Sequence, residues 1–186
     1  MNMYLKNKNK INGFTIVELL VVIVVIGILA TISIVSYSGI TSKARETKVI
    51  NIVKSYQTAL QMYATEHGTF PMAGNGPICL GSTDDFTASG DFTEGSCVVA
   101  NSTPVAFTNN DSNNELEAYM GGSVDGLMPE AHYSGSIIYR GVLYDTNPDG
   151  SVVRLDFAIE SNTGCPIGDQ YSVTDGVYGC QLFIYN

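Results

Sequence analysis

The chain has 186 residues, of which 45% are hydrophobic, and its formal net charge at pH 7 is −9. The charge is divided unevenly, because residues 55–186 carry 16 acidic side chains against two arginines, whereas residues 1–54 carry seven basic side chains against two glutamates. The length allows one domain with a modest core and an appendage. An acidic C-terminal region repels nucleic-acid phosphates, which argues against direct nucleic-acid binding.

The N-terminal region joins a short basic segment to a long apolar run. Lys6, Lys8 and Lys10 precede Gly13, and the 24 residues from Leu19 to Ser42 contain no charge and no proline. As a helix this run would extend about 36 Å, enough to cross the hydrocarbon core of a bilayer. The apolar core of an ordinary signal peptide is only about 7 to 15 residues long and is followed by the cut. We therefore expect a cut before the run and a membrane-spanning segment that stays in the mature chain.

Residues 13–19 form the word Gly-Phe-Thr-Ile-Val-Glu-Leu at the start of the apolar run. This word resembles the class III signal of type IV pilins and of the related pseudopilins of type II secretion. The resemblance implies that a prepilin peptidase cleaves after Gly13 and methylates the new terminal amine of Phe14. It also implies that Glu18, the fifth residue of a mature chain of 173 residues, pairs with the Phe14 amine of a neighbouring subunit during assembly.

Gly13 and Glu18 each have a simpler interpretation. Gly13 is also explained as an ordinary loop residue, and Glu18 as an interfacial acid that reaches towards water. A carboxylate at full depth in a bilayer costs about 2.5 kcal/mol or more and is retained mainly where it has a partner. A short motif counts only in its structural context, and here the basic segment and the apolar run on its two sides favour processing and assembly.

An amphipathic pattern continues the helix beyond the apolar run, because apolar residues recur at spacings of three and four with polar residues between them. These apolar residues are Val49, Ile52, Val53, Tyr56, Leu60, Tyr63 and Ala64. We predict one helix over residues 15–67, about 80 Å long. It should end where Gly68 adopts a left-handed cap and Pro71 prevents continuation. The sequence from His67 to Pro71 also resembles the sequence that ends this helix in pilins and pseudopilins.

Residues 72–112 are rich in small and polar residues and show no sustained period, which predicts a long surface connection. Such connections are variable and carry recognition. A short helix is predicted at residues 113–120, because acidic residues occupy its first turns and a pair of glycines follows it.

The C-terminal region predicts strands. Ile137 to Tyr144 and Val152 to Glu160 should form a hairpin around a turn at residues 147–150. Apolar and polar residues alternate in the second run, so we expect one buried face, with Asp156 on the solvent side. A last strand from Gly179 to Tyr185 should join the same sheet. The predicted fold class is therefore α+β, with a long N-terminal α-helix packed against a small antiparallel β-sheet head.

All four cysteines follow the apolar run, and an even number of cysteines in an oxidising compartment predicts two disulfides. The local pairing, Cys79 with Cys97 and Cys165 with Cys180, is the simplest of three connectivities. A zinc site is the alternative, but the sequence contains no Cys-x-x-Cys spacing.

Asp145, Asn147 and Asp149 place oxygen atoms at alternating positions, with Asp156 further along the chain, as in a calcium-binding loop. A tight turn between two strands is the stronger interpretation, because the proline and glycine among these residues suit a turn. His67 and His132 have no serine, cysteine or acidic residue at catalytic spacing. We therefore expect no metal, no cofactor and no enzymatic activity.

These observations divide the chain into four segments. Residues 1–13 are the expected leader peptide and residues 14–42 the transmembrane and filament-core helix. Residues 43–67 are the expected amphipathic stalk helix, and residues 68–186 an extracellular globular head.

The resemblance implies a structural subunit, a major pilin, that waits in the cytoplasmic membrane and is then assembled into an extracellular type IV pilus-like filament. The implied partners are copies of itself, the prepilin peptidase, an assembly platform in the membrane and an assembly ATPase. Such fibres serve adhesion, twitching motility or DNA uptake. The alternatives are a type II secretion pseudopilin or a minor pilin and, from another class, a membrane-anchored ligand-binding domain.

Overall fold

The computed structural model describes most of the chain. The described residues are 14–71, 76–121, 126, 128, 131–133 and 136–186, with the side chains of residues 33–38, 110–113 and 131–133 excepted. The chain separates into two compact units, the first ending at Ile40 and the second running from Thr41 to Asn186.

Helix α1 spans Ile16–His67 and contributes residues to both units. It ends where Gly68 takes a positive φ of 76° and donates its N–H to the Ala64 carbonyl at 2.8 Å. A left-handed residue at this position satisfies a carbonyl that the last turn leaves unpaired. The predicted helix and its stop signal are therefore confirmed.

The C-terminal part of α1 supplies one side of the core of the second unit. Six of the seven apolar residues of its predicted stripe are buried, and Tyr63 is half-buried. Val53 and Leu60 are fully buried. Each buried side chain of this size contributes roughly 1.5 to 3 kcal/mol, so the helix and the sheet that covers it stabilise each other.

Two antiparallel sheets make up the rest of the second unit. Among the described residues the strands are β1 (Ile78–Leu80), β2 (Ser96–Ala100), β3 (Thr103–Phe107), β4 (Ala131–Tyr133), β5 (Ile137–Tyr139), β6 (Val142–Thr146), β7 (Val152–Glu160), β8 (Asp169–Thr174) and β9 (Val177–Tyr185). The five-stranded sheet has the order β1-β6-β7-β9-β8, and the four-stranded sheet has the order β3-β2-β5-β4. The predicted α+β class is confirmed.

Strand β7 is the centre of the five-stranded sheet and has the predicted bounds. Its alternate residues Val153, Leu155, Phe157 and Ile159 are buried in the same core as α1. Strand β6 pairs with it antiparallel, with Tyr144 opposite Leu155. A hairpin is therefore present around the predicted turn, but its first strand is β6 and not the predicted residues 137–144.

The expectation that Asp156 lies on the solvent side of β7 is wrong, because this residue is only 5% exposed. The Arg154 guanidinium lies over the same face, with its Nε 2.9 Å from Asp156 Oδ2. Two residues further along, Ala158 packs against Ile137 and Tyr139 of the four-stranded sheet. Both faces of β7 are thus covered over part of its length.

The strand predicted from Ile137 to Tyr144 is in fact two strands in different sheets, β5 and β6, separated by Arg140 and Gly141. A side chain at Gly141 would come within 2.8 Å of the Phe86 ring and 2.9 Å of Cys97 Cβ. The chain therefore passes close against these groups only because position 141 has no Cβ.

Arg140 anchors this crossing. It is 3% exposed, and its guanidinium carbon lies 4.1 Å from the centroid of the Phe92 ring. It donates hydrogen bonds to the carbonyl oxygens of Ser96 at 2.9 Å and Thr87 at 2.8 Å. A buried cation is tolerated where carbonyl dipoles and aromatic faces surround it, and here they come from the first residue of β2 and from the segment before it.

Residues 72–112, predicted to be a long surface connection, contain secondary structure. Residues 72–75 lie outside the described part of the chain, but the remainder contains β1, a single 3₁₀ turn at Thr83–Asp85, β2 and β3. These strands are three to five residues long. β2 and β3 form a hairpin around residues 101–102, whereas β1 pairs with β6 and the other edge of β2 pairs with β5, both distant in sequence. Periodicity within the segment cannot reveal such pairings.

Three smaller differences concern element ends. Helix α2 spans Asn110–Glu117 and so begins and ends three residues before the predicted helix. Strand β9 begins two residues before the predicted Gly179. Strand β8, which the sequence patterns did not predict, pairs with β9 and forms the edge of the sheet.

Replacing Asp156 with asparagine should change stability in a pH-dependent way. Burial raises the pKa of the Asp156 carboxyl above its ordinary value, and the Arg154 charge opposes this shift. A carboxyl group whose pKa is higher in the folded state than in the unfolded state favours folding while it is protonated. This contribution to stability is complete below the ordinary carboxyl pKa and is lost as the pH rises through the higher pKa of the folded state. We therefore expect the Asp156→Asn protein to gain free energy of unfolding relative to wild type between about pH 3 and pH 7, as measured by denaturant titration.

Asp149 provides a matched control with the opposite sign. Its carboxylate accepts the Ser151 N–H at 2.9 Å, and this hydrogen bond lowers the pKa of the Asp149 carboxyl. Its stabilising effect is present above the ordinary carboxyl pKa and is lost on acidification. Asp149→Asn should therefore lose stability relative to wild type as the pH rises. Parallel trends in the two variants would contradict this account.

Candidate functional site

The residues predicted to take part in processing and assembly lie at the start of α1. Gly13 is outside the described residues, whereas Phe14 precedes the helix and is 83% exposed. The Thr15 N–H and the Thr15 hydroxyl both donate to Glu18 Oε2 at 2.8 Å. In return the Glu18 N–H donates to the Thr15 hydroxyl at 3.3 Å. Thr15 and Glu18 therefore form a capping box, which satisfies main-chain donors of the first helical turn.

The capping box gives Glu18 a role within its own chain. Glutamine serves at this position of a capping box as well as glutamate does, so the cap does not require a charge. Pairing with an amine does require one. The spacing Thr15-x-x-Glu18 directly before an apolar run is the sequence signature of a capping box. The interpretation of Glu18 from the sequence considered only the membrane and a neighbouring subunit, and so did not predict the cap.

The first part of α1 exposes a large apolar surface. The large apolar side chains between Phe14 and Ile32 are 48% to 85% exposed. An exposed apolar surface of this extent marks a contact with protein or with membrane. Within the described residues, no helix is both long and apolar enough to cross a bilayer. The side chains of residues 33–38, inside the predicted span of residues 14–42, lie outside the described part of the chain.

The structure joins the four cysteines in local pairs. Cys79 of β1 is bonded to Cys97 of β2, so this bridge connects the five-stranded sheet to the four-stranded sheet. Cys165 is bonded to Cys180 of β9, and this bridge holds the segment before β8 against the neighbouring strand. The Cα–Cα distance is 5.8 Å in both pairs, within the usual range for a disulfide.

The oxygen atoms of the possible calcium loop are engaged in a turn. The Asn147 side-chain oxygen accepts the Val152 N–H at 2.9 Å, and Asp149 accepts the Ser151 N–H at the same distance. Asp145 forms an ion pair with Arg154 at 3.1 Å. Among the described residues no group of His, Cys, Asp and Glu side chains is arranged to hold a metal ion. The geometry therefore favours the turn interpretation.

An open depression of about 240 Å³ lies beside this turn. Its lining consists of Asp145, Thr146, Asn147, Val152, Arg154 and Phe183. The Asn147 amide group donates to the Ser151 hydroxyl at 2.9 Å, and Arg154 is held by its two aspartate partners. These polar groups therefore support the hairpin.

A cluster of three aromatic rings lies at the C-terminal end of α1. The Tyr63 and His67 rings are stacked, with centroids 4.1 Å apart and planes at 15°. The Tyr119 ring meets both edge-on, at 5.7 Å from Tyr63 and 6.3 Å from His67.

His132, the other histidine, has no described side chain.

Two carboxylates fix the tyrosines of this cluster. The Tyr119 hydroxyl donates to Glu66 at 2.6 Å, and this hydrogen bond raises the pKa of Tyr119 to about 12. The Tyr63 hydroxyl donates to Glu115 at 3.2 Å. Burial and then the Glu115 charge raise the pKa of Tyr63. Sequence reasoning missed this cluster, because its members come together only when α2 and the residues after it pack beside α1.

The N-terminal region matches a known family model. Residues 8–34 match the model described as the prokaryotic N-terminal methylation motif. The match includes Gly13, Phe14 and Glu18, together with the exposed apolar turns that follow them.

Curated relatives resemble the same part of the chain. A fimbrial protein of Neisseria meningitidis serogroup A is 32% identical over 72 residues, which are 39% of this chain and 42% of that protein. The type II secretion system core protein G of Aeromonas hydrophila is 33% identical over 69 residues, 37% of this chain and 48% of that protein. The type IV major pilin protein PilE1 of Neisseria gonorrhoeae is 34% identical over 59 residues, 32% of this chain and 36% of that protein.

The chain therefore spans less than half the length of these relatives. No solved structure matches the chain significantly. In its N-terminal region the chain is therefore similar to type IV pilins and to a type II secretion core protein.

The two disulfides should be detectable in the mature protein. Non-reduced protein should weigh about 4 Da less than the reduced form, and proteolysis without reductant should leave a peptide pair linked through Cys165 and Cys180. Replacing both of these cysteines with serine should lower the free energy of unfolding by about 2 to 4 kcal/mol, because the bridge restricts the unfolded chain. Mass spectrometry and denaturant unfolding measure the two effects. Free thiols in secreted material would contradict the first.

Proposed function

We propose that this chain is the structural subunit of an extracellular type IV pilus-like filament, and specifically a major pilin. A prepilin peptidase cuts it after Gly13 and methylates the amine of Phe14. The helix from Phe14 onwards then packs with the same helix of other copies in the core of the filament. The chain itself catalyses no reaction in this proposal.

The observation that carries the proposal is the exposed apolar surface at the start of α1, which lies within the residues that match the methylation motif. Side chains such as Ile16, Leu19 and Leu29 are more than half exposed. Leaving so much apolar surface in water is unfavourable, at roughly 25 cal/mol for each Å². Copies of the same helix in a filament, or lipid before assembly, would remove that surface from water.

The proposal includes a membrane-held state before assembly. In that state the head lies outside the cell and the leader, with Lys6, Lys8 and Lys10, lies on the cytoplasmic side. Charge does not set this orientation, because Lys43, Arg45 and Lys48 follow the apolar run. The proposed partners are other copies of the chain, the prepilin peptidase, a membrane assembly platform and an assembly ATPase. Adhesion, twitching motility and DNA uptake are the proposed uses of the filament.

A pseudopilin of type II secretion is the second candidate, because a core protein of such a system matches this chain about as well as the pilins do. The head favours a displayed pilin. It holds two sheets and two disulfides in residues 41–186, and covalent bridges suit a domain that remains outside the cell. Abundance in purified surface fibres distinguishes a major pilin from a minor pilin.

Sheared surface fibres test the proposal directly. Mass spectrometry of the fibre protein should find methylated Phe14 as its first residue. A Gly13→Leu variant should remain at full length in the membrane fraction, because the larger side chain blocks the cut, and fibres should disappear. Fibres of normal amount from that variant, or a fibre protein that begins elsewhere, would refute the proposed processing.

Variants of Glu18 separate its cap from its charge. Glu18→Gln keeps the capping box but removes the charge, whereas Glu18→Val removes both. If pairing with the Phe14 amine is the function of Glu18, both variants should be cleaved normally and both should lose fibres, the valine variant by about tenfold or more and the glutamine variant by less. The measurement is fibre yield relative to the mature subunit held in the membrane.

A Thr15→Val variant is the matched control for the cap. It removes the hydroxyl of the capping box and leaves the Glu18 charge in place. Fibre loss equal to that of Glu18→Val would show that assembly needs the cap, whereas normal assembly of Glu18→Val would show that neither the cap nor the charge is needed.

A further inference from the structure

The aromatic cluster at the end of α1 forms an exposed, negatively charged surface. We define the aromatic–acidic patch as Tyr63, Glu66, His67, Glu115 and Tyr119. The two tyrosines are half-buried, and the other three residues are exposed. Among the described residues, neither glutamate of the patch forms an ion pair with a lysine or arginine. Aromatic faces beside carboxylates attract an ammonium or guanidinium group.

The basic residues of α1, which lie between residues 43 and 54, include a cation that could bind this patch. Lys43 is paired with Glu46 at 2.6 Å, and Arg45 lies 3.9 Å from Glu160. Lys54 is exposed and, within the described part of the chain, its ammonium group forms no ion pair. It is therefore available to a partner outside its own chain.

Helix geometry prevents Lys54 from reaching the patch of its own chain. Tyr63 follows Lys54 by nine residues, which is about 14 Å along the helix axis and about half a turn around it. The ammonium group and the patch therefore lie on opposite sides of α1 and at different heights. Two parallel copies placed side by side, with one displaced along the axis by a similar distance, bring the two surfaces together.

We propose that Lys54 of one copy docks on the aromatic–acidic patch of the next copy. The inference rests on the proposed filament and names one of its subunit contacts. The contact joins two different surfaces, so it is heterologous, and a heterologous contact that does not close into a ring generates an open helical assembly. Each copy offers both surfaces, and the same contact can therefore repeat along the fibre.

The chemistry of the contact is charge-assisted. The ammonium group carries three donors, and the patch offers it the face of Tyr119 and the carboxylate oxygens of Glu66 and Glu115. The hydrogen bond from Tyr119 to Glu66 holds ring and carboxylate in fixed positions before binding. A preorganised site loses less conformational freedom on docking. Salt should weaken the contact, since both surfaces are exposed.

Charge reversal in the full-length chain tests the contact. Lys54→Glu and Glu66→Lys, each alone, should lower the yield of surface fibres about tenfold relative to membrane-held mature subunit. The double variant should return to within about twofold of wild type, because it restores opposite charges across the contact. Single variants with normal yield would overturn the inference, and so would a double variant that assembles no better than the single ones.

Two control variants exclude other causes. Glu117→Lys makes the same change of net charge on α2 outside the patch and should assemble normally. Tyr119→Phe removes the hydrogen bond to Glu66 without changing charge, and its fibre loss should be smaller than that of Glu66→Lys. Equal loss in Tyr119→Phe, or loss in Glu117→Lys, would overturn the inference. If wild type itself forms no fibres, the proposed function fails, which is distinct from failure of this contact alone.

Discussion

The structure depends on the packing of the C-terminal part of α1 into the five-stranded sheet. Val53, Tyr56 and Leu60 are almost completely buried there, in the same core as Leu155 and Phe157 of β7. The sheet covers this part of the helix and leaves the apolar side chains from Phe14 to Ile32 exposed. One helix therefore serves two kinds of packing. The first is complete within the chain, whereas the second requires another molecule.

Features set by local sequence could be predicted, and features set by distant contacts could not. The helix bounds follow from periodicity and from the stop at Gly68, and β7 follows from its alternating pattern. The break at Gly141 depends instead on Phe86 and Cys97, and the cover over the second face of β7 depends on Ile137 and Tyr139 of the other sheet, which pack against Ala158. The motif word indicated Gly13, Phe14 and Glu18, but no local pattern could indicate a patch assembled from α1, α2 and Tyr119.

In the proposed filament, Glu18 would have two compatible roles. Its Oε2 accepts both hydrogen bonds from Thr15, which leaves Oε1 for a partner from outside the chain. The cap fixes the carboxylate beside the first turn of the helix, close in sequence to the Phe14 amine. A side chain held in this way loses little further freedom on pairing. The cap and the charge are therefore not rival explanations, because the first positions the second.

The position of the disulfides limits how far the head can be stretched. In a fibre under tension, force would enter each subunit through α1 and leave through neighbouring subunits. The Cys79–Cys97 bridge closes a loop of 18 residues and the Cys165–Cys180 bridge a loop of 15. Chain inside a closed loop cannot be drawn out, so neither loop adds contour length when the head is pulled. The Cys79–Cys97 bridge also connects the two sheets. It would still transmit force from one sheet to the other after the hydrogen bonds between them had broken.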